Sequence, residues 1–403
     1  MKDICFLSIF LKSFVKRFNL VKKKETLFSY FIAKKCLSCL TVFFLLFLVS
    51  TNIDARINPA NNTAKNAAVI DVETAQVLYG KAMHVKAYPA SVTKILTTIV
   101  AIEEGNLEDI VTVSRKAAYQ EGSSIYLKEG EKIKLKELLY AVMLASGNDA
   151  AVAVAEHVAG SVEDFANLMN ERARMMGALN SNFRNPHGLP DSNHYTTAYD
   201  MAMIMRYAMT NDKFREITKT KNISISWSGN DWGRGLRNHN KLLFSYDDIT
   251  GGKTGYTRAA GRCLVASASR DGREVIAVVL NDPNDWLDVR NLLDFALDSY
   301  KKQRVFDKGD ILYTFTWEKS KEKDLSLVAA EGVQVLIPKG GKLKLKQEIY
   351  LNSELELPIK KGDIIGYLKI SDDEKLLARV DLLAYNDMNY NSIFLRFWNW
   401  LVN

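Results

Sequence analysis

Residues 88–103 read YPASVTKILTTIVAIE. After the proline come Ser91 and Lys94, three apart, and then apolar residues at Ile95, Leu96, Ile99 and Ala101–Ile102. That spacing predicts a helix from Ser91 to about Glu104, buried on most sides. Residues three apart share a helix face, so the Lys94 amine can reach the Ser91 hydroxyl. A serine is a poor nucleophile unless a neighbouring base takes its proton. An amine serves as that base only when burial or a second cation brings its pKa well below the ordinary value of about 10.4. A hydroxyl at a helix start also lies beside free N–H groups that can hold an oxyanion. Taken alone the pair decides nothing, because serine is a common helix N-cap.

Working outward, NAAVIDVETAQVLYGK (66–81) reads as two short strands, Ala68–Ile70 and Gln76–Tyr79, around the turn DVET. Helices are expected at KLKELLYAVMLAS (134–146) and at SVEDFANLMNERARMMG (161–177), the latter opened by Ser161 and stopped by Gly177. Thr197 and Asp200 form a further helix start. Strand signals return at GGKTGYT (251–257), CLVASASR (263–270) and EVIAVVL (274–280), followed by a helix at WLDVRNLLDFALDSYKK (286–302). Helices between an opening strand pair and a closing group of strands predict an α/β (α+β) domain over residues 56–300. From 301 the texture changes to short alternating segments such as VQVLIPKG and LLARVDLLAY, which predicts a small all-β domain over 301–388.

The formal charge of +7 would suit a nucleic-acid binder, but its position excludes that class. Residues 1–55 hold nine Lys or Arg against three acids, leaving 45 against 44 in the remainder, a net of +1. The same leader contains CLSCLTVFFLLFLVS (36–50) after Lys34 and Lys35, the length and polarity of a secretory signal core. Export is therefore expected, with 1–55 as a signal peptide. Cys263 is the single cysteine beyond the leader, in a strand-like apolar run that fits a buried, inert thiol. The five histidines show no metal-ligand spacing. At the other end, in residues 389–403, Ser392, Arg396, Asn399 and Asn403 gather on one side of a helical wheel and apolar residues fill the rest. Too short to span a bilayer and carrying two tryptophans, this segment reads as an interfacial membrane anchor; a helix docked on the protein's own core is the competing reading.

Two further stretches bear on Ser91. LASGNDAA (144–151) sets Ser146, Gly147 and Asn148 between two apolar helical runs, and GGKTGYT carries Lys253, Thr254 and Gly255 on a strand. There Lys253 can supply the second cation and Thr254 a hydroxyl. The set S-x-x-K, S-x-N, K-T-G, in this order, is that of penicillin-binding proteins and class A β-lactamases. With EGSSIYL (121–127), NPHGLPDSNHYTTAYDMA (185–202) and LNSELELPIKKGDIIGYLKI (351–370), the exported chain resembles the D-alanyl-D-alanine carboxypeptidases, the low-molecular-mass penicillin-binding proteins.

The resemblance implies a penicillin-binding transpeptidase-type domain followed by a β domain and an amphipathic anchor. It implies a serine peptidase that removes the terminal D-alanine from peptidoglycan pentapeptides, is acylated by β-lactams, needs no cofactor or metal, and works at the outer face of the bacterial cytoplasmic membrane. Carried over, Ser91 is the acylated nucleophile, Lys94 its general base, and Ser146 a proton relay toward the leaving amine. Asn148 binds the substrate amide, Lys253 and Thr254 its terminal carboxylate, and the backbone N–H groups of Ser91 and Tyr256 form the oxyanion hole. Ser123 and Ser124 are either cleft residues or turn serines, and Asp200 is a cap or supporting group. His187 suggests a Ser-His triad, which Lys94 makes unnecessary. A β-lactamase of this kind needs a glutamate followed four residues later by asparagine; Glu163 and Asn167 have that spacing only 15 residues beyond Asn148, inside a regular helical pattern. D-Ala endopeptidase action, which would use the same catalytic residues, and a non-catalytic cell-wall binding module of the same fold also compete with the carboxypeptidase reading.

Overall fold

The structure, a computed structural model, describes residues 59–317, 320–340, 344–352, 355–372, 375–390, 397, 400 and 401. The segment read as a signal peptide, 1–55, lies outside them, as does most of the segment read as a membrane anchor, 389–403.

Five antiparallel strands make the central sheet, in the order β2-β1-β9-β8-β7. They are β1 (Asn66–Asp71), β2 (Val77–Lys81), β7 (Ile249–Thr257), β8 (Gly261–Arg270) and β9 (Arg273–Leu280); the short hairpins β3–β4 (Ile110–Thr112, Lys132–Lys134) and β5–β6 (Asn222–Ile225, Arg234–Arg237) lie between them in the chain. Strand side chains alternate between faces, and both faces of this sheet are buried. Along β9, Ile276, Val278 and Leu280 enter one core while Val275, Ala277 and Val279 enter the other. That is why EVIAVVL is apolar without interruption.

One face is covered by helices α1 (Lys94–Glu104), α2 (Arg115–Ala118), α3 (Leu135–Leu144), α4 (Asn148–Ala159), α5 (Val162–Met175), α6 (Ala198–Ala208) and α7 (Asp212–Lys219). After the single turn α8 (Leu242–Ser245), α9 (Asp285–Ser299) covers the other face. Two caps expected from the sequence are formed: Ser161 Oγ accepts from Asp164 N at 3.0 Å, and Thr197 Oγ1 accepts from Asp200 N at 3.0 Å. The two hairpins were not anticipated, because three or four residues carry too little alternation to read.

Helix α9 ends three residues earlier than its pattern predicts. The Arg273 guanidinium donates to the Ala296 and Tyr300 carbonyls at 2.6 and 2.7 Å, and Tyr300 already belongs to β10 (Tyr300–Phe306). β10 pairs with β13 (Val333–Pro338), while β11 (Ile311–Thr316), β12 (Asp324–Ala329), β14 (Leu345–Leu351), β15 (Ile364–Asp372) and β16 (Lys375–Ala384) form a second sheet in the order β11-β12-β16-β15-β14. Leu325, Leu327, Val335, Ile370 and Leu382 are among the side chains of its core. The Gln76 side chain joins this part to the turn after β1, donating to the Leu336 carbonyl and accepting from the Leu336 N–H, both at 3.0 Å.

Candidate active site

Ser91 does not begin the α-helix. It sits in a 3-10 turn, Ala90–Thr93, and α1 starts at Lys94. Pro89 precedes the turn and Ala90 takes a left-handed φ of 50°. Two glycines hold this turn from either side. A Cβ on Gly188, whose own φ is +87°, would lie 1.8 Å from the Ala90 carbonyl oxygen, and a Cβ on Gly255 would lie 2.9 Å from Ser91 N and 3.1 Å from Val92 N. The NPHGLP loop and strand β7 therefore close on the serine's backbone as tightly as bare main chain permits.

Lys94 is fully buried, and its Nζ lies 3.1 Å from Ser91 Oγ, 2.7 Å from Asn148 Oδ1 and 2.9 Å from the His187 carbonyl. Burial depresses its pKa well below the ordinary lysine value; the nearby Lys253 charge lowers it further and Asp149 opposes both. The orientation follows from the acceptors. A backbone carbonyl has no proton to give, and the Asn148 amide is fixed with its oxygen toward Lys94 because Nδ2 donates to the Glu121 carbonyl at 2.7 Å. When neutral, the amine gives its two N–H bonds to these oxygens and its lone pair is left facing Ser91 Oγ.

Ser146 lies in the short break between α3 and α4, where it adopts a left-handed φ of +60°, and Asn148 is the first residue of α4. That conformation costs a non-glycine residue about 1–2 kcal/mol. Lys253 reaches the same break from β7, donating to Ser146 Oγ at 3.0 Å and to the Thr254 carbonyl at 2.8 Å. It too is buried, and burial brings its pKa down to about 7. Thr254 is half-buried and Tyr256 exposed, on a strand with a free edge. The site residues named from sequence thus meet at one place.

Asp149, Thr93 and His194 join the site without any motif that marks them in the sequence. Asp149 is buried and accepts from Ser124 Oγ at 2.6 Å, from the N–H groups of Ile125 and Leu127 at 3.1 Å each, and from its helix neighbour Ala150 N at 2.8 Å. It ties the loop carrying Glu121 to the helix carrying Asn148, and an acid in the first turn of an otherwise apolar helix was the available signal. This makes Ser124 a turn serine, while Ser123 contributes its carbonyl to Asn148 N at 2.7 Å. His187 touches Lys94 with its carbonyl, and its ring accepts from Leu189 N at 3.2 Å within its own loop. Burial, with the Lys94 charge, lowers the ring's pKa to about 3. Behind the serine, His194 Nδ1 accepts from Arg184 N, so Nε2 carries the proton toward Thr93 Oγ1 at 3.0 Å, and Thr93 in turn donates to the Ala90 carbonyl. Asp200 accepts from Asn180 N and Ser181 Oγ, both at 2.7 Å. Glu163 lies outside this network, exposed on α5 and 3.7 Å from Lys116.

The family profile described as D-alanyl-D-alanine carboxypeptidase matches residues 53–284, and that of the penicillin-binding protein 5 C-terminal domain matches 300–390. The chain is 34% identical to the D-alanyl-D-alanine carboxypeptidase DacF of Bacillus subtilis over 88% of its own length and 95% of that protein's. It is 30% identical to DacC of Escherichia coli, covering 83% and 86%. Among solved structures, penicillin-binding protein 5 of Haemophilus influenzae superposes with a TM-score of 0.71 at 28% identity, over 82% of this chain and 99% of that one. With Ser91, Lys94, Ser146, Asn148 and Lys253 gathered between the two helical segments and β7, the chain belongs to the D-alanyl-D-alanine carboxypeptidase family.

Proposed function

We propose that this serine-type D-alanyl-D-alanine carboxypeptidase removes the terminal D-alanine of peptidoglycan pentapeptides through an acyl-enzyme on Ser91. Ser91 Oγ attacks the carbonyl carbon of the penultimate D-alanine while Lys94 Nζ takes its proton. The N–H groups of Ser91 and Tyr256 hold the oxyanion. The C–N bond then breaks, and the leaving amine receives a proton from the Ser146 hydroxyl. That hydroxyl already accepts a hydrogen bond from Lys253, so its own proton is free to point at the amine, and it is replenished from the protonated lysine pair. Asn148 binds the substrate amide. Lys253 and Thr254 bind the terminal carboxylate, with the peptide laid along the free edge of β7. In the second half-reaction Lys94 takes a proton from water as that water attacks the ester, and returns it to Ser91 Oγ as the acyl C–O bond breaks and Ser91 is released. A β-lactam ring opens at the same step, but its amine stays tethered, and among the described residues no carboxylate touches Ser91 or Lys94 to drive hydrolysis.

The observation that carries this reading is the buried Lys94 amine, aimed at Ser91 by two acceptors that cannot give it a proton. Intact mass after benzylpenicillin treatment, with peptide mapping, tests it: the adduct is expected on Ser91, and Ser91→Ala is expected to release no D-alanine from a pentapeptide. An adduct elsewhere, rapid turnover of penicillin, or unchanged release by the variant sinks it.

We further infer that the chain is exported, with a catalytic domain over 56–300 and a β domain over 301–388, and is held at the outer face of the cytoplasmic membrane by residues 389–403. Supporting the anchor, Phe397, Trp400 and Leu401 are helical and 56–75% exposed, as an interfacial helix requires and a helix docked on the protein's own core does not. No helix among the described residues is long and apolar enough to cross a membrane. Deleting 391–403 is expected to release the processed protein from membranes with soluble-substrate activity intact; continued association places the anchor elsewhere.

A further inference from the structure

The core of the β domain runs out uncovered at one edge. β11 is the edge strand of its sheet, and Tyr313 and Phe315 stand opposite Leu327 and Leu325, so they face the core side. Tyr313, Phe315 and the following Trp317 form a row of rings, with centroids 6.5 and 6.2 Å apart and planes tilted by 31° and 34°. Phe315 and Trp317 are only half-buried, and Tyr313 and Ile311 are more than half exposed.

The Trp317 end of this row is joined to the place where the chain enters its C-terminal segment. Ser320 forms a β-bridge with Tyr390, Ser320 Oγ and Lys321 N each donate to the Asn389 carbonyl at 2.9 Å, and Asn389 N donates to Glu322 at 2.7 Å. Phe397, with its exposed ring, follows Tyr390 by seven residues. Lys321 and Lys323 are exposed beside the same end, alternating with the exposed acids Glu322 and Asp324.

We propose that the Trp317 end of β11, with Phe315 and the flanking Lys321, is a second membrane contact, inserting into the phospholipid headgroup layer next to the C-terminal helix. This rests on the reading of that helix as a membrane anchor. A headgroup layer is about 6–7 Å deep on each side of the hydrocarbon. A strand rises about 3.4 Å per residue, so even with β11 upright both Trp317 and Phe315 fit within the layer. Tryptophan favours that depth, and lysines beside it meet anionic headgroups. With two contacts on one face, the β domain is held in a fixed orientation and does not swing on a single peptide tether.

The test is sedimentation of the processed, full-length protein with phosphatidylglycerol-containing vesicles and with neutral phosphatidylcholine vesicles. Trp317→Ser is expected to weaken binding to both about tenfold. Lys321→Glu, at an exposed site where misfolding is not at issue, is expected to weaken binding to the anionic vesicles about fivefold or more and leave the neutral ones unchanged. D-Alanine release from a soluble peptide stays at the wild-type rate in both. Wild-type vesicle binding by both variants, with the 391–403 deletion still releasing the protein, overturns this contact and leaves the anchor reading standing. Vesicle binding unaffected by that deletion overturns the anchor reading. A lipid-free dimer that Trp317→Ser dissolves, with vesicle binding unchanged, assigns the row to a second copy instead.

Discussion

Replacing Lys253 by methionine isolates what the buried lysine costs the fold. Its pKa of about 7 in the folded protein, against about 10.4 in an unfolded chain, corresponds to about 4–5 kcal/mol at pH 6. The direction is fixed by proton counting. Between these two values the unfolded chain binds the extra proton, so stability rises with pH through the window, and the cost is fully present below about pH 7. Lys253→Met removes that cost together with two amine hydrogen bonds, to Ser146 and Thr254, each contributing about 1 kcal/mol. The variant is therefore expected to be about 2–3 kcal/mol more stable than wild type at pH 6 and about 1 kcal/mol less stable at pH 10, a swing of about 4 kcal/mol. Urea unfolding of both proteins at pH 6, 8 and 10 measures it. The Cys263 thiol, which burial pushes up to about 12, titrates alike in both proteins and cancels in the difference; Lys94, held down in part by the Lys253 charge, is relieved in the variant and adds to the swing in the same direction. A stability difference constant to within about 1 kcal/mol across these pH values refutes the reasoning.

Lys94→Met is expected to slow acylation by benzylpenicillin at least about 10³-fold. His187→Gln is expected to stay within about tenfold of wild type, because its contact is a main-chain carbonyl; comparable losses in stopped-flow acylation restore a histidine base. Gly255→Ala places a methyl 2.9 Å from Ser91 N, so kcat/KM for D-alanine release should fall about 10²-fold while circular dichroism shows a folded protein. An undiminished rate means the approach of β7 is slack. For wild type, kcat/KM should decline as pH rises through about 7, where free Lys253 loses its proton, and kcat should decline at higher pH, because the bound carboxylate favours the charged lysine. Lys253→Arg, charged throughout, removes that limb; a limb that persists belongs to another group.

Much of the fold was legible because both faces of the central sheet are buried, so β8 and β9 announce themselves as apolar runs and α1 as an apolar helix. The gathering of Ser91, Ser146 and Lys253 was legible only through the set of motifs, since no one of them has a spacing that helix capping or chance cannot explain. Contacts made by backbone were invisible: the His187 carbonyl, the Glu121 carbonyl and the start of α1 at Lys94 depend on tertiary approach, to which side-chain identity is blind. The end of α9 was misjudged for a related reason, because Arg273 takes the last carbonyls from a strand distant in sequence. The C-terminal sheet was readable as a texture of alternation, and its strand order was not.

The clasp of Gly188 and Gly255 around the Ser91 turn bears on how this enzyme can answer antibiotic selection. Every single-nucleotide change at either glycine that alters the residue adds at least a Cβ, and on both sides the space for it is already taken. Adaptive routes through the walls nearest the serine are therefore closed at their first step. Open ground lies at Tyr256, which is 66% exposed on β7 next to Gly255 and can be exchanged without disturbing the turn. Lineages that lose penicillin sensitivity should carry their substitutions there, trading contacts with the outer parts of the drug while the reacting centre stays as it is.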